Sequence, residues 1–134
     1  MEEGPLELPS EVASVQAAAA WSERVCAACG LGEEERYRVG LAVREAVANA
    51  VLHGNRRASA KHVRLSWELR GGWMLVTVGD EGNGFDRPEP TGEINLTPTG
   101  RGLALISHVT DSYDIVRREN PPGTDVVLAL DMTK

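Results

Sequence analysis

Hydrophobic positions change period several times along this chain, and each change marks an element. Leu6 and Leu8 flank Glu7, the alternation of a short edge strand. Pro9 and Ser10 then open a helix with Ser10 as its N-cap. That segment is rich in alanine and runs to about Cys29, where Gly30 supplies the stop. A second helix begins at Glu33-Glu34-Glu35, three acids suited to a positive helix N-terminus. Val39, Val43, Ala46, Val47, Ala50 and Val51 give it an apolar stripe, and it ends near His53-Gly54. From Lys61 the period falls to two. Val63, Leu65, Trp67 and Leu69 face one way, with Arg64, Ser66 and Glu68 on the other, which is a half-buried strand. Gly71-Gly72 is a two-residue hairpin signal. Trp73 to Gly79 is apolar on both faces and so belongs in the middle of a sheet.

Residues 80–99 are rich in Gly, Pro, Asp and Asn, a loop of functional rather than connecting length. A third helix starts around Gly102 and runs to about Val109. Two more strands follow, Tyr113 to Arg118 and Thr124 to Leu130, joined by the turn Asn120-Pro121-Pro122-Gly123. The order β-α-α-β-β-loop-α-β-β predicts an α/β two-layer sandwich, with helices on one face of a mixed, largely antiparallel sheet. At 134 residues the chain suits a single domain, 1–134.

Charge narrows the partners. The net charge of −6 and a pI near 5.1 make nucleic acid a poor default ligand. No apolar run approaches the roughly 20 residues that span a bilayer. Met1-Glu2-Glu3-Gly4-Pro5 is acidic and unlike a signal peptide, so no membrane and a cytoplasmic location are expected. Cys26 and Cys29 form a CxxC near the end of a helix, where the dipole disfavours thiolate. The reading is two reduced, half-buried thiols.

Three short segments carry chemistry. Glu45 and Asn49 stand four apart on the second helix and share a face that His53 continues. An amide oxygen can ligate a hard cation, and a carboxylate one turn away can take a proton from a nucleophile beside it. Taken alone, this is equally a solvated helix face with an i,i+4 hydrogen bond. Asp80-Glu81-Gly82-Asn83-Gly84-Phe85 follows the central strand. A pocketed carboxylate can accept the exocyclic amino group of adenine, and Gly82 and Gly84 permit close backbone approach. Alone, it is also a tight Asp-Gly turn. Thr99-Gly100-Arg101-Gly102-Leu103-Ala104-Leu105-Ile106 runs glycines into a helix N-terminus, where free N–H groups meet an anion and Arg101 can fork onto phosphate. Its plain alternative is a hinge before a glycine-started helix. There is no GxxxxGK[ST] and no GxGxxG.

In combination, ExxxNxxxH on a helix, DxGxGF after a strand, a loop, and GxGLxLI opening a helix resemble the GHKL (Bergerat-fold) superfamily of gyrase, Hsp90, histidine kinases and MutL. The resemblance covers nearly all of residues 33–130 and includes Gly123-Thr124, similar to the family's late Gly-Thr. The wording of Glu45 to Gly54, Asp80 to Asp86 and Gly100 to Ile106 most resembles the bacterial anti-sigma factor serine/threonine kinases. What the resemblance implies is ATP with Mg²⁺, held by Asn49 as metal ligand and by His53, Asp80, Gly82, Gly84, Gly100, Arg101, Gly102, Leu103 and Thr124. Glu45 would be the general base and residues 86–99 an ATP lid. The substrate would be a serine on a STAS-type anti-sigma antagonist, the other partner a sigma factor, and the unit a homodimer. Two alternatives stand beside this enzyme: a non-catalytic module whose ATP only sets partner binding, and a histidine-kinase catalytic domain. The latter needs a phosphoacceptor hairpin ahead of it, and only about 30 residues precede the second helix.

Overall fold

The computed structural model describes residues 4–54, 61–81, 105–119 and 122–133, with the backbone alone at 53 and 54. Five strands form one sheet: β1 (Leu6–Pro9), β2 (His62–Arg70), β3 (Trp73–Gly79), β4 (Ser112–Glu119) and β5 (Pro122–Asp131). Their spatial order is β1-β2-β3-β5-β4. All four pairings are antiparallel. β3, apolar on both faces in sequence, is indeed the middle strand, and Leu6–Pro9 is indeed an edge.

Two helices, α1 (Ser14–Ala28) and α2 (Glu33–Asn49), cover one face. The core lies between the layers. Trp21 and Val25 from α1, and Val39, Val43 and Val47 from α2, meet Val63, Leu65, Met74, Val76, Val78 and Leu128 from the sheet. The period-two reading of β2 holds for Val63 and Leu65, both fully buried, while Leu69 is 49% exposed.

The turns follow from backbone chemistry. Arg70 pairs with Trp73 across Gly71 and Gly72, whose φ values of 57° and 85° are those of a type I′ hairpin. α1 stops at Gly30, φ 77°, with Leu31 N–H bonded to Cys26 C=O and Gly30 N–H to Ala27 C=O. That is a Schellman motif, in which a left-handed residue satisfies the helix's last carbonyls.

The start of α1 corrects the sequence reading. The helix begins four residues beyond Ser10, with Ala13 at the N-cap and no side-chain cap bond. Ser10 instead extends the β1–β2 ladder, its N–H donating to Lys61 C=O at 3.0 Å. Residues 11–13 turn the chain, and Ser14 Oγ ties the helix back to Pro9 C=O at 2.6 Å. A capping serine and a strand-end serine look alike in sequence; the pairing of β1 with β2 decides between them.

Candidate functional site

β3 delivers Asp80 to the edge of the core. Asp80 follows Val76 and Val78 in the alternation, so its side chain belongs to the helix-covered face, and it is only 2% exposed. Its N–H donates to Thr124 C=O at 2.9 Å. The Thr124 N–H in turn donates to Asp80 Oδ1 at 3.2 Å. The carboxylate thus takes up a ladder donor just where β3 ends. Thr124 is 1% exposed, and its Oγ1 is buried with no hydrogen-bond partner among the described residues. A buried hydroxyl left in that state costs free energy unless a ligand or water completes it. The structure therefore brings together Asp80 and the threonine of the late Gly-Thr pair, 44 residues apart in sequence.

α2 delivers the second pair. Glu45 is half-buried and Asn49 8% exposed, one turn apart on one face. At Asn49 the α-helix ends and residues Ala50–Gly54 continue as a π-turn. Such wider turns re-aim side chains and recur at functional sites. His53 lies in that turn, and its side chain is outside the described residues. The same stripe of α2, spaced 38, 42, 45 and 49, also carries Arg38. Arg38 Nε donates to Val109 C=O at 3.0 Å, at the end of the helical residues 105–109. A guanidinium there satisfies terminal carbonyls and complements the negative end of the helix. The face bearing Glu45 and Asn49 is thus tied to the helical residues 105–109. Gly82, Gly84, Gly100, Arg101, Gly102 and Leu103, and the lid 86–99, lie outside the described residues.

Three features escaped the sequence reading. Arg118 on β4 donates to the Asp80 carbonyl and pairs with the Asp125 carboxylate. Beside them, the His62 N–H donates to Glu81 Oε1 at 3.0 Å, pinning the residue after Asp80 to the start of β2. On β2 the charged residues alternate with apolar ones and on β4 they close the strand at 117–119, so each reads as solvated surface; only the strand order brings Arg118 beside Asp80 and Asp125.

The two thiols match the reading except that Cys26 is fully rather than half buried. Cys26 is buried, Cys29 half-buried, and both are free. Burial, then the neighbouring Cys29, pushes the Cys26 thiol up to about 12. Burial raises Cys29 as well. Neither has the stabilised thiolate that redox chemistry needs. No cluster of three or more metal-ligating side chains occurs among the described residues. No described helix is long and apolar enough to cross a membrane.

Comparison with known proteins agrees with this fold. A family model described as histidine kinase-like ATPase domain matches residues 8–130. The anti-sigma F factor of Anoxybacillus flavithermus is 28% identical over 107 residues, covering 75% of this chain and 73% of that protein. The structure of the RsbU and RsbW domains of a Mycobacterium tuberculosis protein superposes with a TM-score of 0.69 at 22% identity, over 94% of this chain and 32% of that one. The SiaB–SiaC complex structure from Pseudomonas aeruginosa gives a TM-score of 0.69 at 13% identity, over 94% of this chain and 88% of its match. Both are likenesses of fold. With a family model spanning both helices and nearly the whole sheet, the chain belongs to the histidine kinase-like ATPase domain family, within the GHKL superfamily its motifs resemble.

Proposed function

We propose that this chain is an ATP- and Mg²⁺-binding anti-sigma regulator that phosphorylates a serine or threonine of a STAS-type antagonist. The observation that carries the reading is the buried Asp80 carboxylate, bonded to the Thr124 N–H beside a buried Thr124 hydroxyl that has no hydrogen-bond partner among the described residues. A carboxylate accepts the adenine amino group, and a hydroxyl beside it can complete its bonding through the base or a bridging water. The likeness to a protein named anti-sigma F factor supports the regulatory role. In this reading a sigma factor is the second partner, the unit is a homodimer and the setting is the cytoplasm.

Asn49, a buried neutral oxygen donor, would hold the metal, as hard cations favour oxygen ligands. When bound, Mg²⁺ neutralises phosphate charge during transfer. Glu45, one turn before Asn49 and half-buried, takes the proton of the attacking hydroxyl. By its sequence, the glycine run 100–102 with Arg101, ahead of the helical residues 105–109, would hold phosphate.

The test is phosphoryl transfer to STAS-type antagonists by wild type and Glu45→Gln at matched ATP occupancy. The substitution keeps shape and reach but cannot accept the proton. ATP·Mg²⁺ binding is expected to survive while transfer falls roughly 10²–10⁴-fold. Undiminished transfer would remove Glu45 as base. ATP binding by wild type without transfer to any antagonist would leave a non-catalytic module that holds or releases partners through nucleotide state.

A further inference from the structure

Arg118 and Asp125 occupy the face of the sheet opposite the helices. On β4, Tyr113 and Ile115 pack against the core, so Val116 and Arg118 fall in opposite halves of the alternation only if the strand turns over; it does not, and both even-numbered side chains belong to the open face. On β5, Thr124 and Val126 are buried among the core layer and Asp125 between them points outward. There the guanidinium makes two charge-assisted contacts. Nη1 donates to the Asp125 carboxylate and Nη2 to the main-chain carbonyl of Asp80.

Two glycines clear the space for this fork. Gly123 stands directly across from Arg118 in the β4–β5 register. A Cβ there would run into Arg118 Nη2 and the Asp80 carbonyl oxygen. Gly79 stands across from Asp125 in the β3–β5 register. A Cβ there would meet Asp125 Oδ1 at 2.5 Å and Arg118 Nη1 at 3.2 Å. Neither glycine is among the described glycines with positive φ, so room rather than backbone freedom explains them. The side chains of Arg118 and Asp125 are 28% and 26% exposed, so the pair is partly shielded from water.

Asp80 is consequently gripped twice. From the open face, Arg118 fixes its carbonyl. On the covered face, the Thr124 N–H fixes its carboxylate. Rotation of the peptide that follows Asp80 would have to break the first contact, and movement of the carboxylate the second. We propose that Arg118 is a positioning residue for base recognition, holding the Asp80 peptide through the sheet so that the carboxylate meets the exocyclic amino group of adenine. Asp125 orients the guanidinium, and Gly79 and Gly123 admit it. This deepens the ATP reading and rests on Asp80 as the adenine acceptor. Lysine cannot replace the arginine, because a single ammonium on a flexible stem lacks the planar fork that reaches both acceptors.

The experiment compares ATP with purine riboside triphosphate, which lacks the exocyclic amino group, by calorimetry on wild type, Arg118→Lys and Asp125→Asn. Wild type is expected to prefer ATP by about tenfold or more, as for a hydrogen bond to a charged acceptor. Arg118→Lys should lose most of that preference, through weaker ATP binding at nearly constant affinity for the analogue. Asp125→Asn should lose part of it. A merely structural arginine would lower both affinities together and leave their ratio unchanged. An unchanged ratio in both variants therefore overturns the inference. Should Arg118→Lys fail to fold, the ratio in Asp125→Asn decides in the same way. A wild type that binds both nucleotides equally, or neither, overturns the adenine role of Asp80 itself and the inference with it.

Discussion

At the scale of single residues, burial does most to set chemistry. Asp80 and Cys26 are both buried, yet they differ in what surrounds them. Asp80 meets donors at the end of a strand, while Cys26 sits inside the packing of α1. A buried thiol resists ionisation, and folding feels this as a pH dependence. The ordinary value of 9.0 is raised to about 12 in the fold. The folded state therefore holds its proton more tightly, so the contribution is complete below about pH 9 and is lost as pH rises toward 12. Within that window each pH unit costs about 1.4 kcal/mol from this one group. Urea midpoints should fall steeply from pH 9 to 10.5 in wild type. In Cys26→Ala the slope should be shallower, although the variant starts less stable because it leaves a small cavity. Parallel slopes in the two proteins would show that other groups govern the alkaline limit.

At the scale of elements, sequence was most informative where local chemistry alone decides. Gly30, Gly71-Gly72 and the alternation of Val63 and Leu65 could be read directly, because a left-handed cap, a type I′ turn and a two-residue period depend on near neighbours. Ser10 could not, because its N–H finds Lys61 only after β1 and β2 pair. Arg118 was hidden for the same reason: it lies 38 residues from Asp80 and acts across β5. The glycines at 79 and 123 were legible as glycines but not as space for a side chain. At the candidate site, the residue types Asp80, Thr124, Glu45 and Asn49 were legible from motif spacing. The pairing of Asp80 with Thr124, and the tie from Arg38 to Val109, needed the fold. The cap gives an element-scale prediction. Gly30→Ala would force an L-residue into φ 77°, a cost of roughly 1–2 kcal/mol. Its neighbourhood is open, with nothing within 4 Å of a new Cβ, so the loss would come from backbone strain alone. Denaturant unfolding should show a lower midpoint at unchanged slope. Equal stability would mean that the Schellman turn relaxes without penalty.

At the scale of the whole molecule, the two faces of the sheet divide the work. The covered face provides the core and the paired Asp80 and Thr124, while the open face bears Arg64, Glu68, Asp125 and Arg118, of which Arg118 holds the end of β3 from behind. Both pairs of candidate groups lie on framework elements, α2 and the β3–β5 ladder. A ligand that bridges them couples its binding to global stability. If ATP·Mg²⁺ binds the folded chain alone, a concentration 100 times its Kd adds about 2.7 kcal/mol. For a domain of this size that corresponds to a rise in melting temperature of roughly 10 °C. Asn49 tests the metal's share of that increment. It is buried where α2 passes into the π-turn, so Asn49→Ala is expected to lower the melting temperature of the ligand-free protein. The informative quantity is therefore the increment on adding ATP, measured separately for each protein. With Mg²⁺ present, the increment should shrink in Asn49→Ala if the amide oxygen removed is the one that ligates the cation. With EDTA, wild type and variant should gain alike, because only the base and the sugar-phosphate contacts remain. Increments reduced equally in both media would make Asn49 a structural residue of the helix end, and the metal would have to be held by other groups.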